Sequence, residues 1–237
     1  MGHIIERIAQ ERGHEIVARI DVDNIDDIDG DAFRTADAAI EFTMPTAAEG
    51  NVRRALKAGV PVVSGTTGWY SALPALKAEC EKGNGSLMAA SNFSIGVNIF
   101  RQVNAYLARI MEAFPQYKPE MTEIHHIHKL DHPSGTAITL AETISENNSR
   151  VEGWEEPAEG SAATEGKLPI RSVREGEVPG VHTVRWDSAV DDITLTHSAK
   201  SREGFALGAV MAAEWLAKHP GYHTIGEMLT DMTGGLL

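Results

Sequence analysis

At 237 residues, with 42% hydrophobic and 23% charged positions, the chain has the size and balance of a globular protein with one large or two modest cores. Its 34 acidic against 21 basic side chains leave a net charge of −13, which repels nucleic acid and anionic membrane surfaces over most of the exterior. No apolar run approaches the ~18 residues of a membrane span, no signal-like leader opens the sequence, and the lone Cys80 cannot form an internal disulfide, so a cytoplasmic setting is expected.

The first half alternates helix and strand signals. Ile4, Ile5, Ile8 and Ala9 fall at helical spacing between Gly2 and Gln10, with Gly13 as the stop. A strand is expected from Glu15 to Ile20, then an acidic stretch, Asp21 to Asp31, whose spacing fits no EF-hand and reads as a solvated loop. Asp37–Thr43 and Val60–Val63 are further strands, separated by a helix from Thr46 to Gly59. A helix from Leu73 to Glu81 leads to a strand at Leu87–Ala90. Strands separated by helices of this length argue for a parallel sheet with helical crossovers.

From Asn98 to Phe114 an apolar helix leads out of that region, and the texture changes. Met121–His126 reads as a strand, Thr136–Ser145 as a helix and Val151–Lys167 as a loop. Three strand-like pieces follow without intervening helices, at Leu168–Val173, Val181–Trp186 and Ile193–His197, which suggests a mixed or antiparallel sheet in a second domain. Helices at Gly204–Lys218 and Ile225–Leu229 finish the chain. The expected division is residues 1–96 with 206–237 in the first domain and 97–205 in the second.

The chemistry concentrates between Glu123 and Thr136. Against the negative total, His125, His126, His128, Lys129 and His132 form the densest basic cluster, suited to a small anionic substrate. Alternation along a strand puts His125, Ile127 and Lys129 on one side, so an imidazole and an ammonium can share a cleft and move protons. After Pro133, Ser134 is a natural N-cap, and the helix-start amides of Gly135 and Thr136 are then donors for an anion. Zinc is the rival explanation of the histidines, but His126 and His128 are too few ligands, and Lys129 repels a cation; no metal is expected.

Three further segments suit a nucleotide. Asp21 ends what would be the second strand of a nucleotide-binding sheet, where an acid can hold a ribose 2′-hydroxyl, and no basic residue follows it directly, which leans towards NADH over NADPH. Gly65-Thr66-Thr67-Gly68 lies past a strand's carboxyl end, where open parallel sheets place ligands, although it reads equally as a plain connection. Ala90-Ser91-Asn92-Phe93 ends the next strand at the domain change.

Together, Ile40-Glu41-Phe42-Thr43, the Gly65–Gly68 turn, Ala90–Asn98, His125–Lys129 with Pro133-Ser134-Gly135-Thr136, Gly180-x-His182, Leu195-Thr196-His197 and Ser201-Arg202 with Phe205-Ala206 resemble the dihydrodipicolinate reductase family. The resemblance implies a Rossmann-like dinucleotide domain, an α+β substrate domain with a mixed sheet that also builds a homotetramer, and NADH or NADPH as hydride source. The substrate it implies is a small cyclic dicarboxylate on the route to lysine and diaminopimelate. By that pattern His125 is the acid/base residue and Lys129 the proton donor; His126, Gly135 and Thr136 bind substrate; Met1, Asp21, Gly65, Thr66, Thr67, Ala90, Ser91, Asn92 and Phe93 line the cofactor site. The family opens with a strand and a glycine loop ending in Met-Gly, and only Met1-Gly2 corresponds here. The expectation is therefore a sheet without its first strand, and the alternative reading is a truncated, catalytically impaired relative that retains only assembly or ligand binding.

Overall fold

The structure, a computed structural model, describes residues 1–158 and 160–236. Glu159, inside the expected loop, and Leu237, inside the expected C-terminal segment, lie outside the described residues. The chain divides into two compact units, Met1–Asn98 with Glu203–Leu237, and Ile99–Arg202. In chain order the elements are α1 (Gly2–Glu11), α2 (Asp31–Arg34), β1 (Ala39–Glu41), α3 (Pro45–Lys57), β2 (Val62–Ser64), α4 (Leu73–Glu81), β3 (Leu87–Ala89) and α5 (Ile95–Met111). There follow β4 (Lys118–His125), α6 (Gly135–Asn147), β5 (Trp154–Glu155), β6 (Leu168–Arg174), β7 (Val181–Asp187) and β8 (Asp192–Ser198), then α7 (Glu203–Leu216), β9 (Tyr222–His223) and α8 (Ile225–Met232). Among the described residues no helix is long and apolar enough to cross a membrane.

In the first unit a parallel, Rossmann-like sheet runs β1-β2-β3-β9. Period-two alternation sorts its side chains. Val62 and Leu87 face a core formed with Ala48, Val52, Ala55 and Leu56 of α3 and Leu76 and Cys80 of α4. Val63 and Met88 face the opposite core, with Ala209, Ala212 and Leu216 of α7 and Met228 and Leu229 of α8. Both faces being covered explains why these strands read as near-continuous apolar runs. Cys80 belongs to this core, where burial pushes its thiol up, and it has no disulfide partner. Ile5, Ile8 and Ala9 of α1 pack on Ala206 and Val210 of α7.

Two expectations in this unit are corrected. Glu15–Ile20 is not a strand: Ile16, Ala18 and Ile20 are half-buried between exposed Val17 and Arg19, so the alternation is real, yet the segment has no ladder partner among the described residues. Alternation needs one covered face, whereas a strand also needs a neighbour's backbone groups. The acidic stretch is not a loop but a 3₁₀ segment, Val22–Asp29, running into α2. Asp21 and Asn24 close a capping box over it, Arg54 pairs with Asp29 (2.7 Å) and Asp26 (3.5 Å), and Ile28 and Phe33 are buried.

The second unit is a mixed sheet in the order β5-β6-β4-β7-β8, with β4 parallel to β6 and antiparallel to β7. Strand β5 lies within the stretch expected to be loop. Met121, Ile170, Val184 and Trp186 project from one face into a core with Leu140, Ala141 and Ile144 of α6 and Phe100 and Ala108 of α5. Asn104 donates to the Leu140 carbonyl (3.1 Å) and Asn148 to that of Ala108 (3.0 Å), tying the two helices together. The other face is far less covered: Thr122, Thr183 and Ile124 are half-buried and Thr194 and Thr196 exposed.

Candidate active site

On the covered face of β4 the sequence changes from apolar to polar within two residues. Met121, Glu123 and His125 share that face, and the registers place His182 of β7 opposite Glu123 and Arg174 of β6 opposite His125. The start of α6 closes over them, where the side chain of Ser134 accepts from the Ala137 amide (3.2 Å) as the N-cap its sequence predicts.

Glu123 is fully buried and is the hub of the group. Its Oε2 is hydrogen-bonded to Nδ1 of His125, and its Oε1 accepts from Arg174 (2.9 Å) and the Ser134 amide (3.3 Å). Burial alone would raise its carboxyl, but the bonds from His125 and Arg174 outweigh that and bring it down to about 2. An ionised carboxylate only accepts, so Nδ1 of His125 carries the proton, leaving Nε2 for other partners. A Cβ on Gly180, at φ +152°, would lie 2.9 Å from that Nε2, so glycine keeps this side of the ring open. His182 lies edge-on to His125 with centroids 5.1 Å apart and Nε2 3.1 Å from Ser134 Oγ. Burial first, and then the neighbouring His125, push His182 down to about 4, so it is neutral at physiological pH.

The alternation expected through Lys129 stops short. Strand β4 ends at His125, and a turn with Lys129 N–H donating to the His126 carbonyl (3.1 Å) carries the chain on, leaving Ile127 exposed. Lys129 is therefore placed by a loop, which Arg174 clamps through the carbonyls of Asp131 (2.6 Å) and Lys129 (3.3 Å). Lys129 Nζ holds both oxygens of Asp131 at 2.8 Å, and this ammonium keeps the Asp131 carboxyl below its usual range. Four members of the expected basic cluster also stand against acids: His125 against Glu123, Lys129 against Asp131, His128 against Glu177 (3.0 Å) and His132 against Glu156 (2.8 Å). Two of these acids come from 24 and 49 residues away, which local spacing does not reveal. His126 is half-buried beside the ring of His128 (5.9 Å), with Nδ1 lacking a hydrogen-bond partner. Gly135 is exposed and Thr136 half-buried at the first turn of α6. The unit thus brings His125, His126, Lys129, Gly135 and Thr136 onto one short stretch around the end of β4.

Glu123, His125 and His182 also place ligand atoms within 4.8 Å of one another, the only such trio among the described residues. The direct contact of Glu123 with His125 and its ion pair with Arg174 already use both carboxylate oxygens, so a hydrogen-bonded network describes them better than a metal site.

The first unit holds a cavity of about 350 Å³ lined by Met1, Phe42, Thr43, Pro45, Gly65, Thr66 and Thr67. A Cβ on Gly65 would overlap the Phe42 ring, so glycine lets the ring lie directly against this turn. Below the cavity the buried Glu41 accepts from Ser64, Thr66 (2.8 Å) and the Thr43 amide (3.0 Å), joining the turns that follow β1 and β2. Trp69 donates to the Thr66 carbonyl (2.8 Å). Ala90 donates to the Ser64 carbonyl (3.1 Å), Ser91 is exposed, Asn92 accepts from the Ser94 amide (2.9 Å) and Phe93 is buried. A Cβ on Gly208 of α7 would collide with the Phe93 carbonyl, so this close approach also requires glycine. Asp21 is exposed and accepts from the Val22 amide at 2.7 Å. Sequence reasoning gave no ligand role to Thr43 or Pro45, although their position past the carboxyl end of β1 is where an open parallel sheet binds ligands.

Comparison with known proteins gives one answer. The N-terminal family profile of dihydrodipicolinate reductase matches residues 1–93, and the C-terminal one residues 96–229. A 4-hydroxy-tetrahydrodipicolinate reductase from Christiangramia forsetii is 46% identical over 232 residues, covering 98% of this chain and 95% of its own. One from Archaeoglobus fulgidus is 34% identical, covering 97% and 95%. The dipicolinate-bound dihydrodipicolinate reductase of Paenisporosarcina sp. TG-14 shares the fold, with a TM-score of 0.79 at 23% identity over 94% of this chain and 93% of that one.

Proposed function

The chain belongs to the dihydrodipicolinate reductase family and is an NAD(P)H-dependent oxidoreductase of lysine and diaminopimelate synthesis; from that premise we propose how its residues divide the reduction of 4-hydroxy-tetrahydrodipicolinate. The observation that carries the assignment is that His125 and the start of α6 meet on one buried carboxylate, whose Arg174 partner also holds the backbone of the Lys129 loop. His125 presents Nε2 as the acid/base atom, and the ammonium of Lys129 donates the proton that completes reduction. Gly135 and Thr136 hold a substrate carboxylate at the positive end of α6, and His126 contacts the same ligand. The substrate's carboxylate competes with Asp131 for Lys129, so binding exchanges one counter-ion for another.

The first unit takes the dinucleotide. Its cavity suits part of one: Gly65 leaves space that a Cβ would fill, and the amino end of α1 begins at Met1 on the cavity wall. When bound, the reduced nicotinamide supplies the hydride. Thr66 and Thr67 with the backbone of Gly65 and of Ala90–Phe93 orient it, and Asp21 favours a ribose hydroxyl over a 2′-phosphate, hence NADH over NADPH. The lone buried Cys80 fits a cytoplasmic enzyme.

Oxidation of NADH with enzymatically generated substrate tests the reading; binding of NADH without turnover would overturn it. In that assay Thr136→Val is expected to raise KM by roughly 10-fold with kcat little changed, because a ground-state contact is lost. The sparsely covered face of β7 and β8, carrying the Thr183–Thr196 hydroxyl pair (3.1 Å) and the exposed Thr194, supports a homotetramer assembled through the second unit. Light scattering is expected to give four times the 25.6 kDa chain mass.

A further inference from the structure

We propose that Glu123 is a positioning residue for the reaction: it holds His125 with the proton on Nδ1, so that Nε2 is the atom offered to the substrate, while Arg174 binds Glu123 to the Lys129 loop. This rests on the role given to His125 above. Three observations on separate elements carry it.

First, the carboxylate is sealed. Glu123 is fully buried, and of the groups around it only His125, Arg174 and the Ser134 amide bond to it. A buried ionised carboxylate with an Arg fork on one oxygen and an imidazole on the other has one way to satisfy both, and it sets the imidazole tautomer. Second, the opposite edge of the ring is kept open by Gly180, where a side chain would press on Nε2. Third, the Arg174 fork reaches past Glu123 to the carbonyls of Lys129 and Asp131. One guanidinium thereby joins the strand bearing His125 to the loop bearing Lys129, and through Glu123 the amide of Ser134 joins the start of α6 to both. Lys129, Asp131, His182 and His197 are the other titratable groups near this network, and none of them bonds to Glu123. A carboxylate two residues before a histidine on a strand is the local trace of the device; Arg174 leaves none.

Glu123→Gln is the informative variant. The amide keeps the shape and can still accept from Arg174 and Ser134 through its oxygen, but it then turns N–H groups towards His125. The imidazole is expected to switch to the Nε2–H form, which presents a donor where the wild type presents an acceptor. In steady-state NADH oxidation by the full chain, kcat is expected to fall roughly 100-fold or more, with substrate KM within about threefold. Nitrogen NMR of histidine-labelled protein in mildly alkaline solution is expected to show His125 as Nδ1–H in the wild type and Nε2–H in the variant. A wild-type spectrum showing Nε2–H overturns the proposal whether or not the variant folds. So does a variant with kcat within threefold of wild type, or one that loses activity while its His125 tautomer is unchanged. His125→Asn separates the two layers of argument. If it retains turnover, the role given to His125 fails; if it is inactive while Glu123→Gln is active, only the role of Glu123 fails.

Discussion

Lys129→Ala is expected to lower turnover by roughly 100-fold or more while leaving the melting temperature within a degree or two of wild type. The two halves of that expectation have different origins. Lys129 sits on a loop after β4, and its ammonium is bonded to Asp131, whose side chain is 61% exposed. Removing an ammonium from an exposed pair leaves a carboxylate that water can solvate, so stability changes by about 0–1 kcal/mol. The chemistry has no such substitute, because the proton donor must stand within reach of the ring that accepts the hydride. Steady-state kinetics with thermal unfolding of the same sample checks this. A variant with wild-type kcat and raised KM would assign Lys129 to carboxylate binding alone, and Asp131→Asn supplies a control. It frees Lys129 from its competing counter-ion and is expected to lower substrate KM several-fold.

Arg174→Met is expected to destabilise the fold by about 3–5 kcal/mol at neutral pH, since it leaves the carboxylate of Glu123 buried with one hydrogen-bonding partner fewer and no guanidinium. The pH dependence follows from linkage. The Glu123 carboxyl is held at about 2 in the fold against an ordinary value of 4.5. Because the folded value is depressed, the stabilisation is fully present above about pH 4.5 and is lost as pH falls from there towards 2. A difference of this size corresponds to about 3 kcal/mol. Without Arg174, burial pushes the carboxyl upward and the protein loses this contribution at higher pH. Urea unfolding across that range is therefore expected to show a gap between wild type and variant that is largest near neutrality and narrows in acid. A gap below about 1 kcal/mol at neutral pH, or one independent of pH, would mean that the pair is not a stabilising unit.

Much of the architecture was legible because it depends on local rules. The apolar spacing of α1, the apolar runs at β2 and β3, and Ser134 ahead of α6 follow from periodicity and capping, and each element forms within about two residues of where those rules place it. The two misreadings in the first unit have one cause. The Ile16–Ile20 alternation reports a covered face but not a hydrogen-bonded neighbour, and the acidic stretch reports charge but not the Arg54 and Ile28 contacts that let it coil.

The site divides along the same line. By itself the sequence determined the chemical inventory: an imidazole at 125, an ammonium at 129 and a capped helix start at 134–136, all within one short segment and so close in space by chain connectivity. Only the tertiary structure decided their state. It brought Arg174 and His182 from distant strands to Glu123, ended β4 at His125 so that a clamped loop places Lys129, and set a carboxylate against His125, His128, Lys129 and His132. The physical reason is range. Capping and alternation act over two to four residues and are written in order along the chain, whereas a buried charge is satisfied by whichever strand the sheet sets beside it, and sheet order is a property of the whole fold.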